Sequence, residues 1–125
     1  MSIVYKTDEL IEYALKIAEK YEPKKPPLLV GSTAWLGAGA DIDVVVLCGT
    51  LQHAIGAPCA DGNYADAAFR AYRHGDVNVI VVTDPVIYGG WEHATKLMVG
   101  TCPTDKAKRV AMCMALRAEG EALCR

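Results

Sequence analysis

Apolar residues recur along this chain in two rhythms, one at helical spacing and one in short continuous runs, and together they divide it into elements. Leu10, Ile11, Ala14, Ile17, Ala18 and Tyr21 fall at three- and four-residue steps and form one stripe of a helix. Thr7 stands where a cap belongs, and Asp8 and Glu9 place acid in the first turn, where the helix dipole favours it. Glu22-Pro23 ends that helix, and a stiff link over 24–27 leads into a strand over 28–30 that stops at Gly31. A short helical excursion over 33–40 comes next. Residues 41–48 then predict a second strand, apolar after its two carboxylates, as suits a strand covered on both faces.

From 49 to 63 the breakers Gly56, Pro58 and Gly62 predict a long surface loop with a turn of helix near 51–55, a length often used for binding. Asn63 can cap a helix over 64–74 that buries Tyr64, Ala65, Ala68, Phe69 and Tyr72, with Gly75 as its stop. A third strand spans 76–83. Asp84-Pro85 opens a helix, but Gly89-Gly90 interrupts it, so the firmer part runs over about 91–99. Thr104 and Asp105 start a last helix whose packed side is Ala107, Val110, Ala111, Met114, Ala118 and Ala122. The order is that of a small α/β sheet with helices packed on it.

Composition narrows the function. At 125 residues the chain fits a single domain, and 52% apolar against 22% charged residues is globular rather than disordered. Thirteen basic and fifteen acidic side chains give a net charge of −2, too little to hold a nucleic-acid duplex by charge alone. The local basic clusters, Lys24-Lys25, Arg70 with Arg73 and His74, and Lys106 with Lys108 and Arg109, read most simply as solvated surface. Five cysteines form no Cys-x-x-Cys pair, and Cys48 and Cys113 look like small core residues. Free thiols without a signal peptide predict a reducing, cytoplasmic location, and no apolar run is long enough to make a membrane a partner.

The chemistry concentrates between Val30 and Leu47. Side chains alternate along a strand, so Asp41 and Asp43 project from one face, close enough to share divalent cations. Gly31-Ser32, at a strand-to-helix turn, offers amide N–H groups and a hydroxyl to a phosphate. A strand ending Gly-Ser, a spacer near ten residues, and Asp-x-Asp opening the next strand resemble the signature of the nucleotidyltransferase superfamily, which includes DNA polymerase beta. The chain looks most like the minimal nucleotidyltransferases. That resemblance implies one small mixed sheet of the nucleotidyltransferase fold over 1–125. It also implies Mg²⁺ or Mn²⁺ held by Asp41 and Asp43, and an NTP, ATP being the expected one, whose phosphates lie on Gly31 and Ser32. Two such cations roughly 3.5–4 Å apart contact both the attacking and the leaving oxygens of a phosphoryl displacement.

The superfamily usually carries a third carboxylate on the next sheet strand, and here the positional match is Asn78, whose amide oxygen coordinates weakly and cannot act as a base. Asp76 shares its strand face, although a turn residue is the simpler account of it. Asp84, Glu92 and His93 are candidates if the chain folds back over the site. Gly37-Ala38-Gly39 lacks the last glycine of a dinucleotide-binding loop and precedes a strand, so that motif is excluded. Trp35 packs on the sheet in this reading, His53 and His74 are surface residues, and Trp91-Glu92-His93 lies near the carboxylate end.

The expected activity is transfer of a nucleoside monophosphate to a hydroxyl of a protein, an RNA end or a small molecule. Family likeness adds a partner protein encoded beside such enzymes, sometimes as their target. Two rivals stand beside it: a catalytically weakened module of the same fold that binds nucleotide or a partner for regulation, and an interaction protein without a ligand.

Overall fold

The computed structural model describes residues 3–50 and 69–125. Helix α1, Asp8–Glu19, forms where the apolar stripe predicts it; the Thr7 hydroxyl accepts the Leu10 N–H at 3.1 Å. Ala14, Ile17 and Ala18 on its inner side are buried. The chain then builds β2 (Leu28–Val30), the short helix α2 (Gly31–Leu36), β4 (Ile42–Leu47), β5 (Phe69–His74) and β6 (Val77–Val82). Helices α3 (Pro85–Met98) and α4 (Lys106–Cys124) close it. Two short strands the sequence did not announce, β1 (Val4–Tyr5) and β3 (Ala38–Gly39), pair antiparallel.

The main sheet is mixed, in the order β2-β4-β6-β5: β4 and β6 run parallel, and β2 and β5 flank them antiparallel. Its two central strands are almost wholly buried, which is why they are nearly unbroken valine and isoleucine. Alternation sends Ile42, Val44, Val46, Val77, Val79 and Val81 to one face, against α1 and Tyr21. Val45, Leu47, Ile80 and Val82 go to the other, against Tyr88 and Trp91 of α3. Burying a side chain of this size contributes about 1.5–3 kcal/mol, so both faces are strongly cohesive.

Three sequence-based expectations give way. Residues 69–74 are a strand, not the end of a helix. Gly75 (φ +62°) and Asp76 form the two-residue turn of a β5–β6 hairpin. A glycine at positive φ serves a helix stop and a hairpin turn equally, and here pairing with buried β6 decides between them. The expected loop over 49–63 and the start of that helix at 64–68 lie, beyond Gly49 and Thr50, outside the described residues.

Helix α3 runs without a break through Gly89-Gly90. A Cβ on Gly90 would sit 2.8 Å from the Arg117 carbonyl oxygen, and one on Gly120 would sit 2.6 Å from His93 Cβ. The glycines therefore mark where α3 and α4 cross at backbone distance. Finally, the apolar stripe of α4 is not its packed side. Val110 and Met114 are 47% and 62% exposed, and Gly120 is the one buried residue of that helix. No helix of the described residues is long and apolar enough to cross a membrane.

Candidate functional site

One lateral row of residues organises the chemistry. Strand register aligns Val30 of β2 with Asp43 of β4, Asp43 with Asn78 of β6, and Asn78 with Arg73 of β5. Neighbours in register share a face, so all four lie on the α3 side, and Asp41 lies two residues below Asp43 on that side. The row lines a cavity of about 500 Å³ beneath α3 and α4. Asp41, Asp43, Asn78, Gly31 and Ser32, all named from sequence, are among its walls.

Local backbone chemistry holds these groups in place. Gly31 sits at φ +85°, and a Cβ there would stand 2.5 Å from Asp43 Oδ2, so the turn after β2 touches the carboxylate only because it is glycine. Thr33, fully buried in α2, donates its hydroxyl to the Asp41 carbonyl at 2.5 Å and fixes the backbone that carries the first carboxylate. Gly39 lets β3 lie against Ser32 Oγ and Thr33 Oγ1. Lys6 then pins this segment through its ammonium to the Ala34 carbonyl at 2.8 Å.

Both carboxylates have donors beside them. Arg73 donates to Asp41 Oδ2 at 2.9 Å, and the Asn78 amide donates to Asp43 Oδ1 at 3.1 Å. The partners do not offset the burial. Desolvation, reinforced by the neighbouring Asp41 charge, pushes the Asp43 carboxyl up to about 7, against smaller lowering effects from Asn78 and Arg73. Burial thus favours the protonated form of Asp43 in the folded chain. Asn78 Oδ1, for its part, is buried with no partner among the described residues. Two carboxylates and one orphan amide oxygen are hard donors of the kind Mg²⁺ takes. Among the described residues no cluster of three or more His, Cys, Asp or Glu is placed to hold a metal.

The other sequence candidates are elsewhere. Asp76 stays in the hairpin turn, where its carbonyl accepts the Ile42 N–H at 2.9 Å. Asp84 caps α3 through the Val86 N–H, and His93 pairs with Glu119 of α4 at 2.9 Å. Glu92 does not line the cavity. His74 accepts or donates to the Tyr21 hydroxyl at 2.6 Å at the sheet edge, a contact that joins β5 to the end of α1. His53 lies outside the described residues. Trp35 and Trp91 both line the cavity, Trp35 packing on the sheet as expected.

Sequence reasoning missed Arg73 as a site residue, and with it Lys106, Arg109 and Arg117 of α4, which face the same cavity. The signals were Gly75-Asp76, a two-residue hairpin turn, and the spacing of Lys106, Arg109, Cys113 and Arg117 along one helix face. Comparison of the chain with protein-family models, with curated proteins and with solved structures finds no match.

Proposed function

We infer that the cavity binds a metal–nucleoside triphosphate and that the protein transfers the nucleoside monophosphate to a hydroxyl-bearing acceptor, on a sheet of nucleotidyltransferase type. One observation carries the reading: the aligned Asp43 and Asn78, with Asp41 beside them, present two carboxylates and an unpartnered amide oxygen to a cavity roofed by basic side chains. The Gly31-Ser32 turn at the same wall supports it.

In this reading Asp41, Asp43 and Asn78 Oδ1 hold Mg²⁺ or Mn²⁺, which supplies charge neutralisation and polarisation to the phosphate chain. The Ser32 hydroxyl and the adjacent amides bind phosphate oxygens. Arg73, donating to Asp41 Oδ2, orients that carboxylate before the substrate arrives. Asn78 takes no proton, so the acceptor's proton leaves to solvent. ATP is the expected nucleotide, and a protein, an RNA end or a small molecule the acceptor, with a partner protein among the first. The neutral Asn78 and the Arg73–Asp41 ion pair favour one second reading, a weakened module that binds nucleotide or a partner for regulation.

The test is label transfer from α-³²P NTPs into host lysate with Mg²⁺ or Mn²⁺. The wild type is expected to label an acceptor, and Asp43→Ala to fall to background while keeping its circular-dichroism spectrum. Equal labelling by the variant would remove the assignment. No labelling by either, with nucleotide still bound, would select the regulatory module.

A further inference from the structure

Five buried side-chain polar atoms lack a partner among the described residues, and four of them belong to residues lining this one cavity. Asn78 Oδ1 serves the carboxylate end. The other three, Trp35 Nε1, Trp91 Nε1 and Arg117 Nε, are groups that only donate. A buried donor without a partner is unfavourable, and all three belong to side chains of the cavity wall, so acceptors are in demand along it.

Charge adds to that demand. Arg117 lies over the Trp91 ring with its guanidinium carbon 4.1 Å from the ring centre, an arrangement that fixes its plane. Arg109 is anchored at the start of α4 by donating to the Thr104 carbonyl at 3.1 Å. Lys106, three residues before it, has no acidic partner among the described residues. Arg73 is matched by Asp41, whereas these three cations of α4 have no acidic partner among the described residues. Three cations on one wall of the cavity call for a ligand with several acceptor oxygens and more than one negative charge.

We propose that the cavity face of α4 is a polyphosphate subsite that works without metal, in which Lys106, Arg109 and Arg117 bind the phosphate chain of the nucleotide. Its biological ligand rests on the nucleotidyltransferase reading; its chemistry does not. The subsite holds the chain by charge-assisted hydrogen bonds, with guanidinium groups matched to phosphate oxygens. It grips the end of the nucleotide that departs, while the carboxylate end holds the phosphate that stays.

The experiment titrates inorganic tripolyphosphate into the full chain, with a chelator present and at low salt. The readout is the fluorescence of Trp35 and Trp91, the chain's two tryptophans, both in the cavity wall. A saturable change is expected, with orthophosphate binding at least ~10-fold more weakly. Lys106→Ala/Arg109→Ala is expected to raise Kd by ~10-fold or more, and the exposed single Lys106→Ala, which leaves the Arg109 anchor intact, severalfold.

Absence of saturable binding in the wild type, orthophosphate binding as tightly as tripolyphosphate, or a double variant equal to wild type would each overturn the subsite. Intact tripolyphosphate binding without label transfer would instead remove the transferase reading and leave the subsite standing. Label transfer without tripolyphosphate binding would do the reverse.

Discussion

The two faces of the main sheet are made from alternate residues of the same strands, yet they are put to different uses. The α1 face is sealed: Ile42, Val44, Val46, Val77, Val79 and Val81 meet Ala14, Ile17, Ala18 and Tyr21 with little or no exposure. The α3 face starts in the same way with Val45, Leu47, Ile80 and Val82, then breaks off at one end into Asp43, Asn78 and Arg73. All the buried side-chain atoms without partners, among the described residues, lie on this second side. One face maximises cohesion. The other gives up some cohesion to keep a polar cavity open.

That contrast can be broken by substitution. Ile42→Ala, which hollows the sealed face, is expected to cost about 2–5 kcal/mol in urea unfolding while leaving the affinity of the folded protein for nucleotide unchanged. A large affinity loss in that variant would mean that the faces are not independent. Gly120→Ala sharpens the picture of the roof. Glycine-to-alanine inside a helix ordinarily stabilises by about 0.8–1 kcal/mol. Here the added Cβ would stand 2.6 Å from His93 Cβ and 3.0 Å from Gly90 Cα, so a loss of about 1–3 kcal/mol is expected. Thermal melting that shows stabilisation would contradict the close α3–α4 crossing.

A third effect is a matter of sign. Asp43 has its carboxyl raised from 3.8 to about 7 in the folded chain, so the folded state prefers it protonated. The stability this confers is present below 3.8 and is lost as pH rises through about 7. Metal-free protein is therefore expected to melt progressively lower across that interval. Asp43→Asn should flatten the dependence and melt higher than wild type well above pH 7. A difference between wild type and Asp43→Asn that does not grow over the same interval would contradict the raised Asp43 carboxyl.

How far this was legible in the sequence follows from which residues act locally. Thr7, Asp84-Pro85 and the apolar run of β4 carry their structure in their own neighbourhood, and each element forms where it is expected. Asp41 and Asp43 share a face because period two is a property of any strand. What failed depended on pairing and packing rather than on the local pattern. Gly75 is a hairpin turn only because β5 finds β6, and Gly89-Gly90 continue a helix only because α4 crosses there. The stripe from Ala107 to Ala122 has the spacing of a packed helix side, but α4 meets α3 through Gly120 and turns its basic residues to the cavity. Arg73 was out of reach for the same reason: a residue placed on a helix cannot be set beside Asn78.

The measurement that bears most directly on the second face needs no knowledge of the acceptor. Free Mn²⁺ is followed by electron paramagnetic resonance as protein is added together with a non-hydrolysable NTP. The wild type is expected to deplete the free signal beyond what nucleotide alone removes, and Asp41→Asn/Asp43→Asn to leave it at the nucleotide-only level. Equal depletion by both proteins, or none by the wild type, would contradict a metal–nucleotide site at Asp41, Asp43 and Asn78.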